Sequence, residues 1–193
     1  MKRFLCCLTG IILPALCAMA QQKNTHHIDW KLAATLPQAS AAAKQLGLAG
    51  VMAGVHNNVL ILAGGANFPD SMPWMGGKKK FYADVYIFRK DDNGKVVNTG
   101  KVFTLPFPLA YGGSCSTPEG VVCIGGETPD GLSRKVLLLR WNALADQLQV
   151  VPLPDLPHPV SNAAVTCSDH TIYLAGGVTE QTGWCVFLCR EHC

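Results

Sequence analysis

Residues 50–65 read GVMAGVHNNVLILAGG, residues 112–126 read GGSCSTPEGVVCIGG, and residues 161–177 read SNAAVTCSDHTIYLAGG. Each segment holds a β-like run, a polar turn, a second apolar run and a closing diglycine. The turns are His56-Asn57-Asn58, Thr117-Pro118-Glu119-Gly120 and Ser168-Asp169-His170. The diglycines begin at Gly64, Gly125 and Gly176, so the pattern recurs after 61 and then 51 residues.

Working outward, the first two diglycines are each followed by a loop and a third apolar run. These are Asp84-Val85-Tyr86-Ile87-Phe88 and Lys135-Val136-Leu137-Leu138-Leu139-Arg140-Trp141. A fourth run then ends in a proline-punctuated stretch, at residues 102–106 and 148–154. Four short strands per repeat, a period near ~50 and a diglycine after the second strand describe a kelch-type blade of an all-β propeller. The second strand is expected to be buried between neighbouring blades. The diglycine is expected where the chain turns sharply and a Cβ would clash. A parallel βαβ sheet would need amphipathic helices between the strands. The sequence offers one helical candidate, residues 39–46, read as a short lead-in. Residues 28–37 resemble the fourth strand of a blade without its first three. Residues 50–106 and 110–154 read as blades and residues 160–193 as a truncated one, with its next strand expected at residues 184–189. A propeller ring needs at least ~4 blades, so residues 21–193 read as an incomplete propeller of about two and a half to three blades.

Composition narrows the classes. Of 193 residues, 16 are basic and 13 acidic, a net charge of +3 too small and scattered for a nucleic-acid footprint. With 49% apolar and 15% charged residues, the chain is not intrinsically disordered. Lys2 and Arg3, an apolar run interrupted by Pro14, and Ala18-Met19-Ala20 read as a signal peptide over residues 1–20. A periplasmic or secreted product with no membrane association after signal removal is expected. Of nine cysteines, Cys6, Cys7 and Cys17 leave with the signal. Cys115, Cys123 and Cys167 lie in apolar strand-like runs and read as small buried hydrophobes. Cys185, Cys189 and Cys193 crowd the last nine residues without a second pair at metal spacing. No metal and no cofactor is expected.

Two blocks of residues carry a resemblance. The first block is Gly50-Val51-Met52-Ala53-Gly54-Val55, then Leu62-Ala63-Gly64-Gly65-Ala66-Asn67-Phe68-Pro69, then residues 78–86, KKKFYADVY. The second joins Leu109-Ala110-Tyr111-Gly112 to Ile124-Gly125-Gly126-Glu127. Across residues 28–178 the chain resembles the N-acetylneuraminate epimerase (sialic acid mutarotase) family in its cyclically permuted form. That resemblance implies an exported, six-bladed kelch propeller acting on a sugar acid, N-acetylneuraminate, and interconverting its α and β anomers. It fades after Val178, where a break in the reading frame would also account for the cysteine-rich tail. About half of the propeller is then absent, an inactive copy is one outcome, and self-association through an exposed blade edge is expected.

Mutarotation opens the sugar ring and recloses it on the other face of the carbonyl. One group must take the anomeric hydroxyl proton and another must donate to the ring oxygen. A guanidinium suits the substrate carboxylate. Glu127 and Arg134, on the loop after the second diglycine, are the catalytic candidates by this resemblance. Two readings of Glu127 stand side by side, a catalytic base or a carboxylate satisfying backbone N–H groups near the axis. Arg134 likewise reads as a catalytic or a surface charge. Asn67, Trp74 and Lys78, on the long loop of residues 66–83, are the substrate-binding candidates. Trp74 reads either as an aromatic that stacks on a sugar ring or as a rim aromatic covering the end of the channel, and Lys78, within the run Lys78-Lys79-Lys80, either as attracting an anion or as part of a solvated charge run. The alternative function is a non-catalytic propeller module that binds a glycan or a protein.

Overall fold

The structure, a computed structural model, describes residues 28–37 and 46–180 and the backbone of residues 186–190. The expected signal peptide, most of the helical candidate and much of the cysteine-rich tail lie outside the described residues. Among the described residues fifteen strands follow in order. They are β1 (Met52–His56), β2 (Val59–Ala63), β3 (Ala66–Asn67), β4 (Lys80–Phe81), β5 (Asp84–Lys90), β6 (Val96–Thr104), β7 (Gly113–Thr117), β8 (Gly120–Ile124), β9 (Glu127–Thr128), β10 (Gly131–Leu132), β11 (Val136–Asn142), β12 (Gln147–Leu153), β13 (Ala164–Ser168), β14 (Thr171–Ala175) and β15 (Val186–Arg190). One 3-10 turn, Pro73–Met75, sits between β3 and β4.

The first sheet runs β1-β2-β5-β6 and the second β7-β8-β11-β12, both antiparallel; the third runs β13-β14-β15. Short ribbons β3-β4 and β9-β10 leave the first two diglycines. This is an all-β, kelch-type propeller built as three consecutive blades, fewer than the ~4 that close a ring. Asn57 and Asn58, and Asp169 and His170, take positive φ in the two-residue turns of β1-β2 and β13-β14, as tight hairpins require. The third sheet acquires β15 from the tail, with Cys189 opposite Ile172. Residues 28–37, expected as an outer strand, are irregular, with Ile28, Trp30 and Leu32 exposed.

Two apolar layers join the blades. Met52, Ile61, Val85 and Ile87 of the first sheet pack against Val121, Cys123, Leu137, Leu139 and Trp141 of the second. Val122, Ile124, Val136 and Leu138 of the second pack against Ile172 and Leu174 of the third. Strand β8 therefore sends alternate side chains into two cores, which is why its run Gly120-Val121-Val122-Cys123-Ile124 is buried at every position. Each buried Val, Leu or Ile contributes on the order of 1.5–3 kcal/mol relative to exposure. Polar contacts pin the same interface. The Ser114 and Ser116 hydroxyls accept from the backbone N–H groups of Ala53 and Val55, and the buried His56 Nδ1 accepts from Trp141 N at 3.0 Å.

Candidate functional site

The three diglycines bring equivalent positions of each repeat to one end of the blades. Gly64, Gly125 and Gly176 have φ of 67°, 63° and 72°, the left-handed region that glycine enters without steric cost. The residue after each pair makes a bridge to the segment that leads into β1, β7 or β13. The bridged pairs are Ala66 with Ala49, Glu127 with Ala110, and Val178 with Ser161. Glu127 is the charged member of that set.

The blades are also stitched directly at this end. Tyr111 N donates to Gly50 O and Asn162 N donates to Tyr111 O, each at 2.8 Å. Gly50, Tyr111 and Asn162 occupy the same place in successive repeats and all take positive φ. Sequence from three blades thereby converges beside the Glu127 carboxylate.

Its surroundings are polar and specific. Ser161 Oγ donates to Glu127 Oε1 at 3.2 Å, and Asn162 Nδ2 donates to Ser161 Oγ at 3.1 Å. On the other side Lys79 Nζ donates to Glu127 Oε2 at 3.4 Å, with the two side chains 34% and 25% exposed. The same ammonium lies 4.8 Å from the ring centroid of Tyr111 and 5.4 Å from that of Phe81, within cation–π range. A partly exposed ion pair of this length contributes at most about 1 kcal/mol. Lys79 can therefore exchange Glu127 for an incoming anion at little cost, leaving a carboxylate, an ammonium, a hydroxyl, an amide and an aromatic face around one position.

Lys79 reaches this place because the loop of residues 66–83 folds back on itself. Tyr82 N donates to Gly65 O at 2.9 Å, and Tyr82 OH donates to Asn67 Oδ1 at 2.9 Å. Gly77 is needed in the return, since a Cβ there would meet Ser71 O at 1.8 Å.

The sequence candidates separate. Glu127 stands in the cluster. Asn67, on β3, is engaged with Tyr82 beneath the same loop. Trp74, in the 3-10 turn, is 80% exposed, and Lys78 is exposed next to Lys79. Arg134 is not joined to Glu127: its Nε donates to Asp155 Oδ2 at 3.3 Å, beside Lys135 Nζ at 2.9 Å. The hydrogen bond from Lys135 is the main reason the Asp155 carboxyl is held below its ordinary range. Arg134 instead lines a cavity of about 360 Å³ with Phe107, Thr128, Asp130 and Lys135. The sequence reading takes Lys79 only as part of the charge run Lys78-Lys79-Lys80, and it does not single out Tyr111, Ser161 and Asn162 as site residues. Alignment of the repeats held the signal for the last three, because Ser161-Asn162 falls on Ala110-Tyr111 and on Ala49-Gly50.

A second cavity, of about 670 Å³, lies at the opposite ends of the strands among His56, Asn58, Glu119, Arg140 and Gln149. There Arg140 is paired with Glu119 at 3.0 Å. Among the described residues no group of three or more His, Cys, Asp or Glu side chains is placed to hold a metal ion. No helix among them is long and apolar enough to cross a membrane.

Comparison with known proteins adds an independent finding. The family model described as N-acetylneuraminate epimerase matches residues 5–150. An N-acetylneuraminate epimerase of Vibrio cholerae serotype O1 is 34% identical over 147 residues, covering 70% of this chain and 37% of that protein. One of Brucella suis is 38% identical over 126 residues, covering 60% of this chain and 31% of its own. The chain thus spans about a third of the length of these curated relatives. A solved structure described as "Structure of YjhT" aligns with a TM-score of 0.43 and 28% identity, over 58% of this chain and 32% of that one.

Proposed function

The chain belongs to the N-acetylneuraminate epimerase family, and we propose that it serves sialic acid mutarotation, binding a sugar acid at the diglycine end of its blades. The observation that carries this reading is the Glu127 carboxylate held between Ser161 and the exchangeable Lys79. In the proposed step Lys79 turns from Glu127 to the carboxylate of N-acetylneuraminate. Glu127, released on that side and oriented by Ser161 on the other, takes the proton of the anomeric hydroxyl. A second donor protonates the ring oxygen, the ring opens and rotation presents the other carbonyl face; on closure the second donor takes back the proton of the attacking hydroxyl while Glu127 returns its proton to the new anomeric oxygen. Trp74, exposed on the same loop as Lys79, supplies a face for the sugar ring, and Lys78 adds positive potential. Export to the periplasm or the exterior is part of the proposal and is checked by fractionation.

The activity test follows freshly released α-anomer by NMR with and without the full chain. Faster appearance of the β-anomer is expected. Glu127→Gln is expected to lower kcat by roughly 10²-fold or more, the usual contribution of a placed base. Lys79→Met is expected to raise KM more than it lowers kcat, because it removes binding common to ground and transition states. Acceleration that survives Glu127→Gln unchanged would clear this carboxylate of the role. One observation favours the alternative of a non-catalytic binding module, namely that Arg134 is committed to Asp155. Sugar-acid binding without any acceleration is the outcome that selects it.

A further inference from the structure

We propose that Cys115 and Cys167 form a disulfide that staples the second blade to the third. The innermost strands β7 and β13 face one another across the interface. On β7, Ser114 and Ser116 point back to β1, where both hydroxyls take backbone N–H groups. Gly113 and Cys115 therefore point the other way, and a Cβ on Gly113 would lie 2.1 Å from Cγ2 of Val165 on β13. On β13, Val165 and Cys167 pack on the core shared with the second blade, and Cys115 packs on that same core from β7. The two thiols thus enter one layer from opposite sheets.

The repeat relates their positions to a facing pair in the first interface. One blade earlier, the positions of Cys115 and Cys167 are held by Gly54 and Ser116, by the same offsets of 61 and 51 that relate the diglycines. There a Cβ on Gly54 would lie 3.0 Å from Ser116 Oγ. In a disulfide the Cβ of one cysteine lies roughly 3 Å from the sulfur of the other. Val121 is the nearer neighbour of that position, at 2.6 Å, but Ser116 faces Gly54 directly across the first interface, and the equivalent positions in the second interface are both cysteines.

The competing pairings are poor. Cys189 sits in register with Cys167 but two strands away, through Ile172. That puts their Cα atoms about 10 Å apart, beyond the ~7 Å limit for a bridge. Cys123 is fully buried on the other face of β8, in the first interface, and burial pushes its thiol up to about 12.

Bond formation needs a two-electron oxidant, and a small-molecule or protein disulfide of an oxidising compartment supplies it. One cysteine thiolate attacks that disulfide, expelling a thiol and leaving a mixed disulfide. The second thiolate displaces the remaining half, so two cysteine protons and two electrons leave with two molecules of reduced thiol.

The test incubates the folded full chain with glutathione disulfide, blocks remaining thiols with iodoacetamide, and maps peptides without reduction. A peptide pair joining Cys115 to Cys167 is expected, with Cys123 alkylated only after unfolding. Reductant is expected to lower the Tm of the oxidised wild type by on the order of 10 °C, the effect of opening a loop of this length, and to leave Cys167→Ser unmoved. Alkylation of both Cys115 and Cys167 in the folded, oxidised protein would overturn the proposal. So would a bridge from either to Cys185, Cys189 or Cys193. Peptide mapping needs only the wild type, so a poorly folding variant does not blunt the test.

Discussion

Replacing the first glycine of each diglycine by alanine separates the cost of a backbone conformation from the cost of a neighbouring blade. All three glycines sit at φ between 63° and 72°, so alanine pays the left-handed penalty of roughly 1–2 kcal/mol at each. Their surroundings differ. A Cβ on Gly64 would meet Leu109 O at 2.0 Å and one on Gly125 would meet Val160 O at 2.3 Å, whereas among the described residues nothing lies within 4 Å at Gly176. Those two carbonyls are also the acceptors of Gly65 N at 2.9 Å and Gly126 N at 2.7 Å. Leu109 and Val160 are buried, so moving either carbonyl aside leaves an unsatisfied buried group, at a further cost of about 1–3 kcal/mol. Gly64→Ala and Gly125→Ala are therefore expected to lose about 2–5 kcal/mol and Gly176→Ala about 1–2 kcal/mol. Urea titrations give the comparison directly, read as midpoints at constant slope. If Gly176→Ala proves as damaging as Gly64→Ala, the close approach of the next blade is not what these glycines serve, and the argument fails.

Two more outcomes follow from single contacts. His56→Ala strips the acceptor from the Trp141 N–H at the first interface and is expected to cost about 2–3 kcal/mol. His56→Asn, which can present an oxygen near the same place, should recover part of that, and equal losses for both in urea would assign the cost to packing alone. Asp155 is held below the ordinary 3.8, chiefly by the Lys135 hydrogen bond. Its contribution is present above the ordinary carboxylate value and is lost as pH falls through the lower folded value. The Tm gap between wild type and Asp155→Asn should thus narrow below about pH 4, and a gap that stays constant into acid would remove the ion pair from the account.

The blade architecture was legible because its determinants are local. Polar two-residue turns, alternating or continuous apolar runs and paired glycines each leave a mark within a few residues, and β5, β11 and β12 appear within two residues of the expected runs. The fourth strand of the first blade was read too short: β6 begins at Val96, before the apolar run, because Val96-Val97-Asn98 pair with β5 through the ladder rather than through side-chain burial. The site was legible only in part. The resemblance singles out Glu127, but the side chains that contact it come from 48 residues before it and 34 after. Arg134, paired with Glu127 by the resemblance, lies after the ribbon β9-β10 and is bonded to Asp155. The more distant Lys79 is delivered by a loop whose closure depends on Gly77 and Tyr82, a relation that no sequence spacing records.

Comparison of the three second strands shows what makes a strand face into core. Strands β2, β8 and β14 occupy the same place in their sheets, yet β8 is buried at all five positions while β2 and β14 are buried only at alternate ones. Tyr173 on β14 remains 42% exposed on a strand otherwise like its neighbours. Intrinsic apolarity cannot produce that difference, since Leu60 and Leu62 of β2 are as apolar as Val122 and Ile124. Contact with a blade on each side does. Stability in such an array is carried by blade-to-blade interfaces as much as by the sheets, and each interface here has its own fastening. The first uses serine hydroxyls and His56. The second lacks a counterpart to Ser116, because Cys167 stands there, and the staple proposed between Cys115 and Cys167 would take over the same task with a covalent bond.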